Sequence, residues 1–160
     1  MSRARLGPRL AAVAGAVPPG AASAVDVGAG DGQLALELAR RGLRVVATER
    51  TPASLARLQG AAPSLDCRLG EGLAPLSAGE VEGAVVAGLG GRSIAGLLSG
   101  GRPVHLGLRW LVLQPQDRAH ELEQCLEGYT VCFGGWVVQG RRLYRVIRAV
   151  RASPAGPALR

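Results

Sequence analysis

Apolar positions recur along this chain in two alternating rhythms. Leu6, Leu10, Val13 and Val17 fall at helical spacing and predict a short amphipathic helix, which Pro18-Pro19-Gly20 ends. The apolar run through Val25-Asp26-Val27 then reads as a buried strand, and Leu34 and Leu38 with their neighbouring alanines give the next helix an apolar face. Leu43–Thr48 predicts a second buried strand ending at Glu49. Thr51-Pro52 has the form of an N-cap with proline at the first helical position, opening a helix that carries Leu55 and Leu58 and stops near Gly60. Further strands are predicted over Leu65–Leu69, Val81–Ala87 and Trp110–Leu113, with helices over Arg92–Leu98 and around Asp117–Glu127. Tyr129–Val138 and Leu143–Val150 predict an antiparallel hairpin joined near Gln139-Gly140.

Strands alternating with helices and closed by a hairpin predict an α/β fold. The expected sheet is seven-stranded and mostly parallel, with helices on both faces. Residues 1–150 are expected to form one domain, and residues 151–160, with two prolines, a flexible tail. In such sheets ligands bind outside the carboxyl ends of the strands. Asp26, Glu49, Glu71, Gly88 and Gln114 all fall at those ends.

The first strand leads into Gly28-Ala29-Gly30-Asp31-Gly32, a tight glycine loop before a helix. Such a loop lets the backbone come close to a ligand and offers it the free N–H groups of the helix start. A dinucleotide fingerprint, G-x-G-x-x-G, fails at Gln33, and the chain has no lysine for a phosphate-binding P-loop. An acidic residue at the strand end followed by G-x-G-x-G resembles motif I of class I S-adenosylmethionine methyltransferases, whose cofactor is cationic. Glu49 lies 23 residues beyond Asp26, about where an acidic residue meets ribose hydroxyls in Rossmann-like units. Glu71, at the third strand end, is a candidate acceptor for an adenine amino group. The candidate cofactor-binding set is Asp26, Gly28, Ala29, Gly30, Glu49, Arg50, Glu71, Gly72, Ala87 and Gly88.

The net charge of +7 comes entirely from arginine and favours an anionic partner such as nucleic acid, although abundant Ala, Gly and Arg without Lys also fits a coding bias. Three cysteines without a C-x-x-C pair, and two distant histidines, speak against a disulfide framework, a zinc site or any metal. They fit a reducing cytoplasm. Arg3, Arg5 and Arg9 before an apolar segment imitate a secretory signal, but cleavage after Ala24 would remove the start of the first strand. No apolar run reaches membrane-spanning length.

Further marks lie outside the glycine loop. They are Arg9-Leu10, Val-Pro-Pro-Gly over 17–20, Arg68-Leu-Gly-Glu-Gly-Leu73, Ala87-Gly88-Leu89-Gly90-Gly91 and Leu113-Gln114-Pro115. Over roughly residues 5–149 this succession resembles the bacterial tRNA (adenine-N1)-methyltransferase family of the TrmK type, whose motifs read A-G-M-G-G and L-Q-P at the last two places. The resemblance implies S-adenosylmethionine as cofactor, tRNA as partner and methylation of an adenine N1. Its substrate-pocket candidates are Gly88, Gly90, Gly91 and Gln114, and it names no catalytic residue. Two departures stand out. The family's D-I-G-S-D-H-A-Y-L-P has Gly30, Asp31, Gln33 and Ala35 where it carries Asp, His, Tyr and Pro. The family's C-terminal helical extension is also expected to be lacking, which leaves RNA contact to arginines such as Arg92, Arg102, Arg141, Arg142 and Arg145. A methyltransferase for another acceptor, or a non-catalytic module binding RNA or protein, are the alternatives.

Overall fold

The computed structural model describes residues 5–152. Seven strands form one sheet: β1 (Ser23–Val27), β2 (Arg44–Glu49), β3 (Asp66–Leu69), β4 (Gly83–Leu89), β5 (Trp110–Pro115), β6 (Tyr129–Gln139) and β7 (Arg142–Arg151). Their order is β3-β2-β1-β4-β5-β7-β6. The first five run parallel, β7 joins β5 antiparallel, and β6 closes the edge against β7. The helices are α1 (Pro8–Ala16), α2 (Gln33–Arg40), α3 (Pro52–Ala61), α4 (Gly91–Leu98), α5 (Arg102–His105) and α6 (Ala119–Gln124).

Side chains alternate across the sheet, so each strand feeds two apolar layers. Val13 of α1, Leu34 and Leu38 of α2 and Leu58 of α3 pack on one face against Val85, Val112 and Val146. Ile94 and Leu98 of α4 and Leu122 of α6 pack on the other against Leu111, Leu113 and Ile147. Local chemistry supports these elements. Thr51 Oγ1 accepts from the Ser54 N–H at 3.2 Å, capping α3 as its sequence predicts.

Several boundaries differ from the sequence expectation, each for a local reason. Val81 is buried but lies outside β4, which starts at Gly83, where the Trp110 indole lies across the backbone and leaves no room for a Cβ. β4 also runs on through Gly88 and Leu89 by way of a bulge, with the register shifting between Ala87 and Leu89. α6 is much shorter than Asp117–Glu127, because Arg118 is left-handed at φ 52° and the helix begins only after it. A 3-10 turn over Ser99–Gly101 and the four-residue α5 were not expected; nothing so short leaves a periodic signature. Arg151, assigned to the tail by sequence, is the last residue of β7, and residues 153–160 lie outside the described residues.

Leu38 is completely buried between α2 and the sheet. Leu38→Ala is expected to cost about 2–5 kcal/mol in urea unfolding. A loss below about 1 kcal/mol would contradict the close packing of this layer.

Candidate active site

The carboxyl ends of β1, β2 and β3 and the end of β4 face α4 across a cleft of about 950 Å³. The glycine loop meets it at Gly28. Gly28 and Gly30 hold φ of 68° and 63°, and nothing lies within 4 Å of where a Cβ would stand on either. Left-handed backbone and open space together favour glycine there. The Gly28 and Ala29 N–H groups donate to the Thr48 carbonyl at 2.9 and 3.1 Å, which ties the loop to the end of β2.

Carboxylates surround this loop. Glu49 Oε1 accepts from the Gly30 N–H at 2.6 Å. Asp31 accepts from the Gln33 N–H at 3.3 Å and from its side-chain amide at 2.7 Å. Asp26, at the end of β1, is only 2% exposed. Burial pushes its carboxyl up to about 7, repulsion from Glu49 adds to the rise, and the Ala35 backbone N–H opposes it. Its Oδ2 has no hydrogen-bond partner. The start of α2 would otherwise attract an anion, but here it is already met by acidic side chains. A further phosphate would be repelled, whereas a cationic group would relieve the crowding of carboxylates.

Of the sequence-derived cofactor set, Gly28, Glu49, Arg50, Glu71 and Gly72 line the cleft. Asp26 lies buried at the end of β1, just before the loop. Ala29 and Gly30 belong to the loop, and Ala87 and Gly88 to the bulged end of β4; none of these four lines the cleft. Sequence reasoning missed the apolar wall made by Leu73, Leu89 and Leu97, and the polar Ser93 and Ser99. The sequence placed a helix over Arg92–Leu98 but carried no sign that one of its faces borders a cavity. Arg92 and Arg102 also line the cleft.

The ends of β4 and β5 form a second region beside the cleft. The Gly91 N–H donates to Asp117 Oδ1 at 2.9 Å, and a Cβ on Gly91 would stand 2.6 Å from the Asp117 carbonyl. Gly90-Gly91 is therefore clamped against the segment entering α6. Gln114 is fully buried; its Oε1 accepts from Arg9 Nη1 at 2.6 Å and its Nε2 donates to the Pro115 carbonyl at 2.8 Å. Arg9 also lies over the Tyr144 ring at 5.8 Å, and its backbone N–H donates to Gln139 Oε1 at 3.0 Å. It thus links α1, β5 and the hairpin. Exposed Gln116 donates to the Gly88 carbonyl at 3.3 Å. Among the described residues, no cluster of His, Cys, Asp and Glu is placed to hold a metal, and no helix is long and apolar enough to cross a membrane.

A methyltransferase domain family matches residues 6–147. The chain superposes on the M1A22 tRNA methyltransferase TrmK of B. subtilis with a TM-score of 0.83 and 26% identity, covering 94% of this chain and 68% of that one. A Streptococcus pneumoniae protein assigned as a tRNA (m1A22) methyltransferase, solved with S-adenosyl-L-methionine, gives 0.82 and 26% over 94% of this chain and 75% of that one. TrmK of M. capricolum, solved with S-adenosyl-homocysteine, shares the fold at 0.80 with 16% identity over 91% and 69%. No curated protein matches the sequence.

The raised Asp26 pKa sets a pH dependence. Between about pH 4 and about pH 7 the folded protein retains a proton that the unfolded chain has released, so Asp26 makes stability fall as pH rises through that window. Asp26→Asn is expected to remove this component and to be the more stable protein at about pH 8, read from urea unfolding at several pH values. An unchanged slope in the variant would contradict a protonated Asp26.

Proposed function

Because the chain belongs to the methyltransferase domain family, we propose that it methylates N1 of an adenine in tRNA. It is an S-adenosylmethionine-dependent methyltransferase. The acid-rimmed glycine loop carries the cofactor assignment. Its orphaned Asp26 oxygen suits a cationic amino acid moiety, and its left-handed glycines leave space against the backbone. Glu49 is the proposed partner of the ribose hydroxyls and Glu71 of the adenine amino group; Gly28, Arg50 and Gly72 shape the walls around them. Ala29 and Gly30 hold the loop, and Ala87 and Gly88 the bulged end of β4, outside the cleft lining.

The cofactor supplies an electrophilic methyl group on a sulfonium centre. Adenine N1 carries a lone pair and no proton at neutral pH, so no side chain has to act as base. The chain's own work is therefore to hold the base in line and keep water away. The base is proposed to lie at Gly88 on the bulged end of β4, an edge that Gly90 and Gly91 hold in place through their packing on Asp117. Gln114 acts from beneath, since both ends of its amide are engaged and it fixes Arg9 at that edge. Likeness to two tRNA (m1A22) methyltransferases at 26% identity supports tRNA as the acceptor. A tRNA substrate and three free cysteines both accord with work in the cytoplasm.

Incubation with methyl-labelled S-adenosylmethionine and unmodified tRNA, followed by nucleoside analysis, is expected to yield 1-methyladenosine. Binding of the cofactor without label in any tRNA would overturn the acceptor assignment and leave the cofactor assignment standing. Glu49→Ala is expected to weaken S-adenosylmethionine binding by about tenfold or more, measured by calorimetry. Wild-type affinity in that variant would remove Glu49 from the site.

A further inference from the structure

The β6–β7 hairpin rises beyond the rest of the sheet at the edge where the cleft opens. The last β5–β7 pair is Leu113 with Ile147, yet β7 continues to pair with β6 as far as Gln139 with Arg142. Those five further residues carry the hairpin roughly 17 Å past the last β5 pair, at about 3.4 Å per residue. One face of this projection is covered. Tyr144 lies beneath Arg9 of α1, and Val137 packs against the α1 layer. The opposite face, on the side of α6, is bare. Trp136, Val138 and Leu143 are 61%, 61% and 58% exposed there, a concentration of apolar surface in a chain of only 3% aromatic residues.

The bare face has a built centre. Arg145 lies over the Trp136 ring at 5.2 Å. Its Nε donates to Glu123 Oε1 of α6 at 2.9 Å, which fixes its orientation. Gly134 provides the space: a Cβ there would stand 2.8 Å from the Arg145 Cζ. The result is an indole and a guanidinium held together, with the exposed indole presenting a flat surface of the kind on which unpaired bases stack. Arg141 stands exposed at the hairpin turn, Arg142 lies over Tyr144 on the opposite face at 6.0 Å, and no acidic residue occurs between Glu127 and the end of the chain.

We propose that this face of the projecting hairpin docks a single-stranded or looped segment of RNA, one unpaired base stacking on the exposed Trp136 indole that Arg145 backs and a neighbouring phosphate meeting Arg141 at the turn. The assignment rests on the RNA acceptor named under the proposed function and says how a chain poor in aromatics grips it. A charged partner of this kind fits better than an apolar protein surface, because arginines surround the apolar centre and supply the charge that a polyanion neutralises.

The test compares tRNA binding by fluorescence anisotropy and S-adenosylmethionine binding by calorimetry in wild type, Trp136→Ala and Trp136→Phe. Trp136→Ala is expected to weaken tRNA binding about fivefold or more, Trp136→Phe to recover most of it, and both to keep wild-type cofactor affinity. Arg141→Gln is expected to lower the slope of log affinity against log salt by roughly one. The wild-type tryptophan emission, from exposed Trp136 and buried Trp110, is expected to be partly quenched by tRNA and the quenching lost in Trp136→Phe. Wild-type tRNA affinity in Trp136→Ala would overturn the proposal. So would a parallel loss of cofactor affinity, which would mark a structural effect, or a dimer that Trp136→Ala dissociates without changing tRNA affinity. Failure of the wild type to bind any tRNA while binding S-adenosylmethionine would instead sink the acceptor assignment, and this inference with it.

Discussion

A buried carboxyl group with one unpartnered oxygen sits at the centre of this structure. Asp26 is the last residue but one of β1, with buried neighbours on both sides, and its Oδ2 has no hydrogen-bond partner. An uncompensated buried polar atom is costly, so its persistence needs a ligand or a proton to offset it. The surrounding architecture holds it there. β1 is flanked on both sides by parallel strands, β2 and β4, and the glycine loop that follows is tied to β2 through Thr48 and Glu49. The rest of the cleft is built outwards from this point, with Glu49 and Glu71 at the ends of the next two strands and the α4 wall opposite.

Charge is sorted by depth. Asp26 is buried and Glu49 half-buried beside the glycine loop, while Arg50, Arg92 and Arg102 line the cleft and are exposed, and Arg141, Arg142 and Arg145 stand on the hairpin. That separation matches the two things such an enzyme must bind. A small cationic cofactor goes to carboxylates in a region of reduced dielectric, where a few contacts suffice. A large polyanion meets arginines at the surface, where its own charge steers the approach. Arg9 belongs to neither group. With its guanidinium on Gln114 and over Tyr144, it serves to hold α1, β5 and the hairpin in register at the acceptor edge.

The strand–helix alternation and the carboxyl-end positions of Asp26, Glu49 and Glu71 could be read from sequence, because buried parallel strands leave continuous apolar runs and glycine loops punctuate them. Other features depended on contacts between distant residues and left no local trace. Gln114 looked like an open strand-end amide, and only the fold shows that Arg9, 105 residues away, occupies its oxygen. The glycines at 90 and 91 read as room for a ligand, whereas Gly91 is pressed against Asp117. The apolar wall from α4 was hidden because a helix's periodicity marks its core face alone. The hairpin was predicted, but not how far it reaches beyond β5, since its length past the sheet edge is a matter of register.

A proton count tests the central claim, that Asp26 waits neutral for a cationic cofactor. Calorimetric titration with S-adenosylmethionine at about pH 6.5, in buffers of different ionisation enthalpy, measures protons exchanged on binding. At that pH the amino group of the cofactor is already protonated, with an ordinary pKa of about 7.7–8.0, and leaves the count to the protein. Release of roughly half to one proton by the wild type, lost in Asp26→Asn, is the predicted result. Tight binding with no proton released would contradict it, and would mean that Asp26 is already ionised or does not face the cofactor.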